Sequence, residues 1–164
     1  MRILGIDPGT IRTGWGLVEA RGSKLVFIAA GTSKANASAP LAERLRIIDI
    51  DIRRCIAEFS PTAMAVEDIF FAKHPNAALK LGHARGVALL AAAVHELEVF
   101  EYPPTLVKRT IVGKGRADKS QVGQMVTRML GLSELPQTDA ADALAIAITH
   151  LLAARSREQM LKAR

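Results

Sequence analysis

The chain has 164 residues, 49% of them hydrophobic, which is enough for one domain with a sizeable core and too apolar for a disordered segment. Its 22 basic and 16 acidic residues leave a net charge of +6; that balance favours an anionic partner, nucleic acid first, although a basic protein without such a partner has the same composition. The lone cysteine, Cys55, excludes an internal disulfide and a cysteine-rich zinc site, and the absence of a signal-like N-terminus or a membrane-length apolar run points to a reducing, cytoplasmic setting.

Residues 2 to 7 read as a buried strand ending at Asp7, followed by the turn Asp7-Pro8-Gly9-Thr10. Gly14 to Glu19 and Leu25 to Gly31 read as two more strands, joined at Arg21-Gly22-Ser23-Lys24. Tight connections make these three an antiparallel meander. Ser33 to Ala39 is small and polar, a loop in which Ser38 is placed to cap a helix with Pro40 in its first turn. Leu41, Leu45, Ile48, Ile52, Cys55, Ile56 and Phe59 then recur at three- and four-residue spacing, the apolar stripe of a helix. On that stripe Cys55 is a packing residue.

Ser60-Pro61 ends this helix, and Ala63 to Val66 forms a fourth strand ending at Glu67. A loop over 69–76 leads to a helix from Asn76 to about Leu97, apolar most of the way round and rich in Ala and Gly. Such a helix is covered on more than one side, by the sheet and by another helix or a second subunit. Val99 to Tyr102 is a fifth strand, stopped by Pro103-Pro104. Helices follow over Thr105 to Val112, from about Asp118 to Leu130, and from near Thr138. The order βββ-α-β-α-β-α-α-α describes an α/β domain with a mixed five-stranded sheet, an antiparallel meander plus parallel strands, flanked by helices.

The acids carry the chemistry. Asp7 and Glu67 each close an apolar strand, where a carboxylate is costly unless a cation meets it. Asp139 and Asp142, three apart, share one face at the start of the last helix. Ordinary explanations exist for most of them. Asp before Pro-Gly is a turn residue, and acids in a first helical turn complement the helix dipole, with Thr138 as a candidate cap. Glu67 has the weakest such explanation. Alternation along the strand turns Glu67 inward and Asp68 outward.

Together the four acids repel one another, and two divalent cations resolve that repulsion. All-oxygen ligands, with no Cys and no paired His, favour Mg²⁺, with Mn²⁺ as a substitute. Asp7, Glu67, Asp139 and Asp142 are therefore the candidate catalytic metal ligands of an in-line attack at phosphorus. His150 lies two turns beyond Asp142, and its role is left open. Lys108, Arg109, Lys114, Arg116 and Lys119 crowd one segment with Gly113 and Gly115. That segment is either a phosphate-contact surface or a solvated helix–loop–helix face. Phe70 and Phe71 follow Glu67 closely; each is either a base-stacking aromatic or a loop anchor in the core.

Several strings in the chain are similar to a known family. Gly5-Ile6-Asp7-Pro8-Gly9-Thr10, Val66-Glu67-Asp68-Ile69-Phe70, the run from Ala78 to Gly86, and Asp139-Ala140-Ala141-Asp142-Ala143-Leu144-Ala145 resemble the bacterial Holliday-junction resolvases of the RuvC type. The likeness covers nearly the whole chain and weakens after Ala154. It implies a single RNase H-like nuclease domain over residues 1–154 with a basic tail at 155–164. It further implies a homodimer, paired symmetric nicks in a four-way DNA junction, and a role in recombination and DNA repair. By motif position the metal ligands are Asp7, Glu67, Asp139 and Asp142, the stacking aromatic is Phe70, and the DNA-contacting lysines are Lys108 and Lys119. The implied partners are the junction-binding and branch-migration motor proteins RuvA and RuvB. Competing readings are another RNase H-like nuclease acting on RNA–DNA hybrids or ribosomal RNA precursors, an actin-like ATPase fragment sharing the Asp-Gly-Thr turn, and a DNA architectural protein.

Overall fold

A computed structural model describes residues 1–68 and 75–162. Strands β1 (Arg2–Asp7), β2 (Arg12–Arg21) and β3 (Lys24–Lys34) are followed by α1 (Leu41–Phe59), β4 (Ala63–Glu67), α2 (Pro75–Val94) and β5 (Glu98–Tyr102). Helices α3 (Pro104–Val112), α4 (Lys119–Leu130) and α5 (Thr138–Lys162) complete the chain. The five strands lie in the order β3-β2-β1-β4-β5. β1 pairs antiparallel with β2, and β2 with β3; β1 with β4, and β4 with β5, run parallel. The meander and the parallel half meet at β1.

Strand alternation sorts the core into two layers. Ile3, Ala63 and Ala65 face α3, α4 and α5, whereas Leu4, Ile6, Met64 and Val66 face α1 and α2. The stripe of α1 buries Ile48, Ile52, Cys55 and Ile56; each such isoleucine contributes about 1.5–3 kcal/mol by leaving water. The thiol of Cys55 is 1% exposed, and burial pushes its pKa up to about 12, so it is a packing group and not a nucleophile.

Helix α5 lies directly against the sheet at two glycines, and the missing side chains make that approach possible. A Cβ on Gly5 would collide with the carbonyl oxygen of Ala143, and one on Gly14 with that of Asp139. Because the obstruction is backbone on both sides, Gly5→Ala is expected to destabilise the fold by about 3 kcal/mol or more, at the upper end of overpacking costs. Denaturant unfolding measures it; a variant as stable as the parent would contradict this packing.

Three local expectations are corrected. β3 continues through Ser33 to Lys34, because Thr13 and Arg12 of β2 still pair with these residues and Ser33 Oγ donates to Asp51 Oδ2 of α1 at 2.6 Å. Ser38 does not cap α1; its hydroxyl donates to Asn36 Oδ1 at 2.8 Å and Pro40 takes the cap position. Thr138 is already inside α5, and the Gln137 carbonyl accepts the Ala141 N–H at 2.8 Å. The boundary at residue 154 falls within α5, whose helix runs on unbroken to Lys162.

Candidate active site

The site begins with register. Ile6 of β1 pairs with Val66 of β4, so Asp7 and Glu67 emerge side by side at the ends of two parallel strands. Both share the face of Gly5 and Ala65, toward α5. Asp68 follows the end of β4, and its N–H donates to the Tyr102 carbonyl at 2.9 Å. The turn after Asp7 is held by Thr13, buried, whose hydroxyl donates to the Gly9 carbonyl at 2.7 Å. Arg44 of α1 donates to Thr10 Oγ1 at 3.2 Å, tying the same turn to the other layer.

The close approach of α5 carries its first turn to these strand ends. Asp7, Glu67 and Asp142 line one cavity of about 230 Å³, together with Lys108 of α3 and Lys119 of α4. Its apolar wall includes Val107, Val122 and Ile146. The capping box of α4 places the lysine. Asp118 Oδ1 accepts the Gln121 N–H at 2.8 Å, and Gln121 Oε1 accepts the Asp118 N–H at 3.1 Å. Helix α4 therefore starts at Lys119, whose Nζ donates to Asp142 Oδ2 at 2.6 Å. Asp139 sits one turn earlier on α5, where it accepts from Arg12 Nε at 2.8 Å.

Burial and charge set the protonation of this cluster. Burial pushes Asp7 up to about 7, reinforced by the charges of Glu67, Asp142 and Asp139 and opposed by Lys119. Glu67 is also raised, by burial first and then by Asp142. Burial alone would lower the Lys119 ammonium; its hydrogen bond to Asp142 and the nearby carboxylates outweigh that and hold it higher than usual. A buried carboxylate driven to about 7 by its surroundings is a group short of positive charge. That deficit, with an all-oxygen donor set, fits a hard divalent cation. Among the described residues, no three acid, imidazole or thiol groups yet converge closely enough to grip an ion in this arrangement. Arg12 and Lys119 each hold one of the helix acids instead.

The other candidates fall in three places. Lys114 and Arg116 are on the α3–α4 loop, outside the cavity lining. Phe70 and Phe71 lie outside the described residues. His150 is a core residue, 2% exposed, with Nδ1 2.8 Å from the Tyr102 hydroxyl and its ring against Phe100. Arg12 was missed by sequence reasoning. Its signal was faint: it shares the strand phase of Gly14, the residue that touches α5.

Sheet order and helix placement define an RNase H-like α/β domain. The family model for crossover junction endodeoxyribonuclease RuvC matches residues 3–150, and the chain belongs to that family. It is 53% identical over 150 residues to the RuvC of Rhodopseudomonas palustris (strain BisA53), covering 92% of this chain and 86% of that one. Identity to the RuvC of Sorangium cellulosum (strain So ce56) is 52% over 154 residues, covering 94% and 86%. The structure of Thermus thermophilus RuvC in complex with Holliday junction substrate superposes with a TM-score of 0.89 at 38% identity, over 95% of this chain and 96% of that one.

Proposed function

We propose that this chain resolves four-way DNA junctions by paired, symmetric nicks, using Mg²⁺ held by Asp7, Glu67, Asp139 and Asp142. The observation that carries the reading is the acidic cavity at the parallel strand ends, flanked by Lys108 and Lys119. Bound divalent ions would supply Lewis acidity at the scissile phosphorus, and Mn²⁺ has the same ligand preference. The chain's own residues do the rest. The two lysines draw a phosphate toward the acids, and the apolar wall of Val107, Val122 and Ile146 limits water there. Lys114 and Arg116, beyond the cavity, extend the positive surface along the backbone. Phe70, three residues after Glu67, is assigned to an unpaired base at the junction centre.

Two symmetric nicks require two active sites, and α2 supports a homodimer. Its buried side packs Ala84, Ala88, Ala91 and Ala92 on the core, while Leu79 and Leu90 stand 65% and 58% exposed on the other. These leucines line one apolar groove with Ala78, Gly82, Gly86 and Val87. Leu90→Glu is expected to shift the protein to monomers in sedimentation and to uncouple the paired nicks. An unaltered dimer would contradict the assignment of this face.

The RuvA and RuvB proteins remain the proposed partners, and the cytoplasm the proposed setting. Among the described residues no helix is long and apolar enough to cross a membrane. Residues 1–154 are read as the nuclease domain and 155–164 as its basic extension. The deciding test compares a mobile four-way junction, a linear duplex and an RNA–DNA hybrid, each with and without Mg²⁺. Cleavage confined to the junction and dependent on Mg²⁺ is expected; equal cleavage of all three would defeat the reading.

A further inference from the structure

Arg12 has no part in the function proposed above, yet its position is specific. It opens β2 with its side chain on the α5 face, in phase with Gly14. At Gly14 the β2 backbone presses directly on the backbone of Asp139. Strand and helix are thus held at a fixed separation, and Arg12 Nε meets Asp139 Oδ2 at 2.8 Å. The arginine side chain is 53% exposed and the aspartate 23%. The pair therefore sits at the margin of the acid cluster, formed but open to water.

We propose that Arg12 is a built-in counter-ion of Asp139 that a divalent cation must displace, so that this arginine sets the cation affinity of the site. The inference rests on the reading of the acids as cation ligands. A carboxylate oxygen engaged by a guanidinium is not free to ligate, so cation binding is weakened by the strength of the pair. Exposure keeps the pair weak enough to yield, since the released guanidinium goes straight to water. In the cation-free protein the same contact relieves repulsion among four acids. Lys119 does the equivalent on Asp142 from the other side of the cavity.

The test is a Mn²⁺ titration of the DNA-free protein, followed by the electron paramagnetic resonance of the free ion. Arg12→Gln is expected to tighten Mn²⁺ binding about two- to fivefold, the range an ion pair of this exposure carries. The gain should vanish in an Asp139→Asn background, closing a double-mutant cycle on the pair. It should also narrow in molar salt, where the screening length falls to about 3 Å. A merely structural role for Arg12 would move neither readout. Unchanged or weaker binding by Arg12→Gln, or a gain that survives Asp139→Asn, overturns the proposal. Asp7→Asn separates the two failures. If it binds Mn²⁺ as the parent does, the cation reading itself falls, and Arg12 with it. If it loses binding while Arg12→Gln matches the parent, the role of Arg12 alone is refuted.

Discussion

Asp7→Asn is expected to abolish junction cleavage while leaving junction binding near that of the parent. Asp7 lines the cavity with Glu67 and Asp142, and each of these raises its pKa. An amide there keeps the shape and removes one anionic oxygen donor. Losing a principal electrostatic element of a reaction at phosphorus costs on the order of 10³-fold or more in rate. On the proposed reading, binding draws on other side chains, the lysines and arginine of α3, α4 and their loop, of which Lys108 and Lys119 also line the cavity. With a chelator present, removing a negative charge beside those lysines does not oppose a polyanion. Single-turnover cleavage and gel-shift binding, run on the same junction, separate the two quantities. Parallel loss of both would mean that Asp7 shapes the DNA-binding surface, and the division of labour would be wrong.

The second large effect is on stability. The Asp7 carboxyl titrates near 3.8 in an unfolded chain and at about 7 in the folded, cation-free protein. Between these values the folded state holds a proton that the unfolded state has lost. The resulting stabilisation is fully present below about pH 4 and is lost as pH rises through about 7. A displacement of this size corresponds to about 4 kcal/mol from this group. Glu67, also raised, adds a contribution of the same sign. Cation-free protein is therefore expected to lose stability between about pH 4 and pH 7, against the usual trend for carboxylates. Asp7→Asn should flatten that slope and exceed the parent in stability at about pH 8. Urea unfolding across this range, with a chelator present, measures both. A parent whose stability holds level from about pH 4 to 7 would contradict the burial of an unpaired charge. Added Mg²⁺ should restore the parent at about pH 8 more than the variant, because a cation binding only the folded state adds to its stability.

Much of this was legible along the chain because local periodicity and burial go together. The stripe from Leu41 to Phe59 could bury only one face of a helix, and α1 is that helix. Asp7 and Glu67 stood out because each ends a run of apolar residues, and parallel pairing of those runs places the acids side by side. Of the adjacent pair Glu67 and Asp68, Glu67 is among the residues lining the cavity and Asp68 is not. The boundaries that failed did so where pairing overrode composition. Ser33 reads as loop by its chemistry, but β2 offers it a ladder partner and Asp51 accepts its hydroxyl proton. Ser38 reads as a cap, but its hydroxyl is taken by Asn36, two residues back, and no longer serves the helix N–H groups.

The sequence by itself determined the element order and the mixed sheet, and pointed to the acids, since these readings follow from hydrophobic period and from charges stranded at apolar termini. Only the tertiary structure decided what each charge faces. His150, two turns beyond Asp142, turned out to be buried on Tyr102 and Phe100. Lys119, whose proposed role is a DNA contact, is hydrogen-bonded to Asp142 inside the cavity. Arg12, unremarked along the chain, is the partner of a residue 127 positions away. Period and propensity act over a few residues, whereas an ion pair depends on how closely two elements approach. Here that approach is set by a sheet bare enough at Gly5 and Gly14 for α5 to lie directly on it.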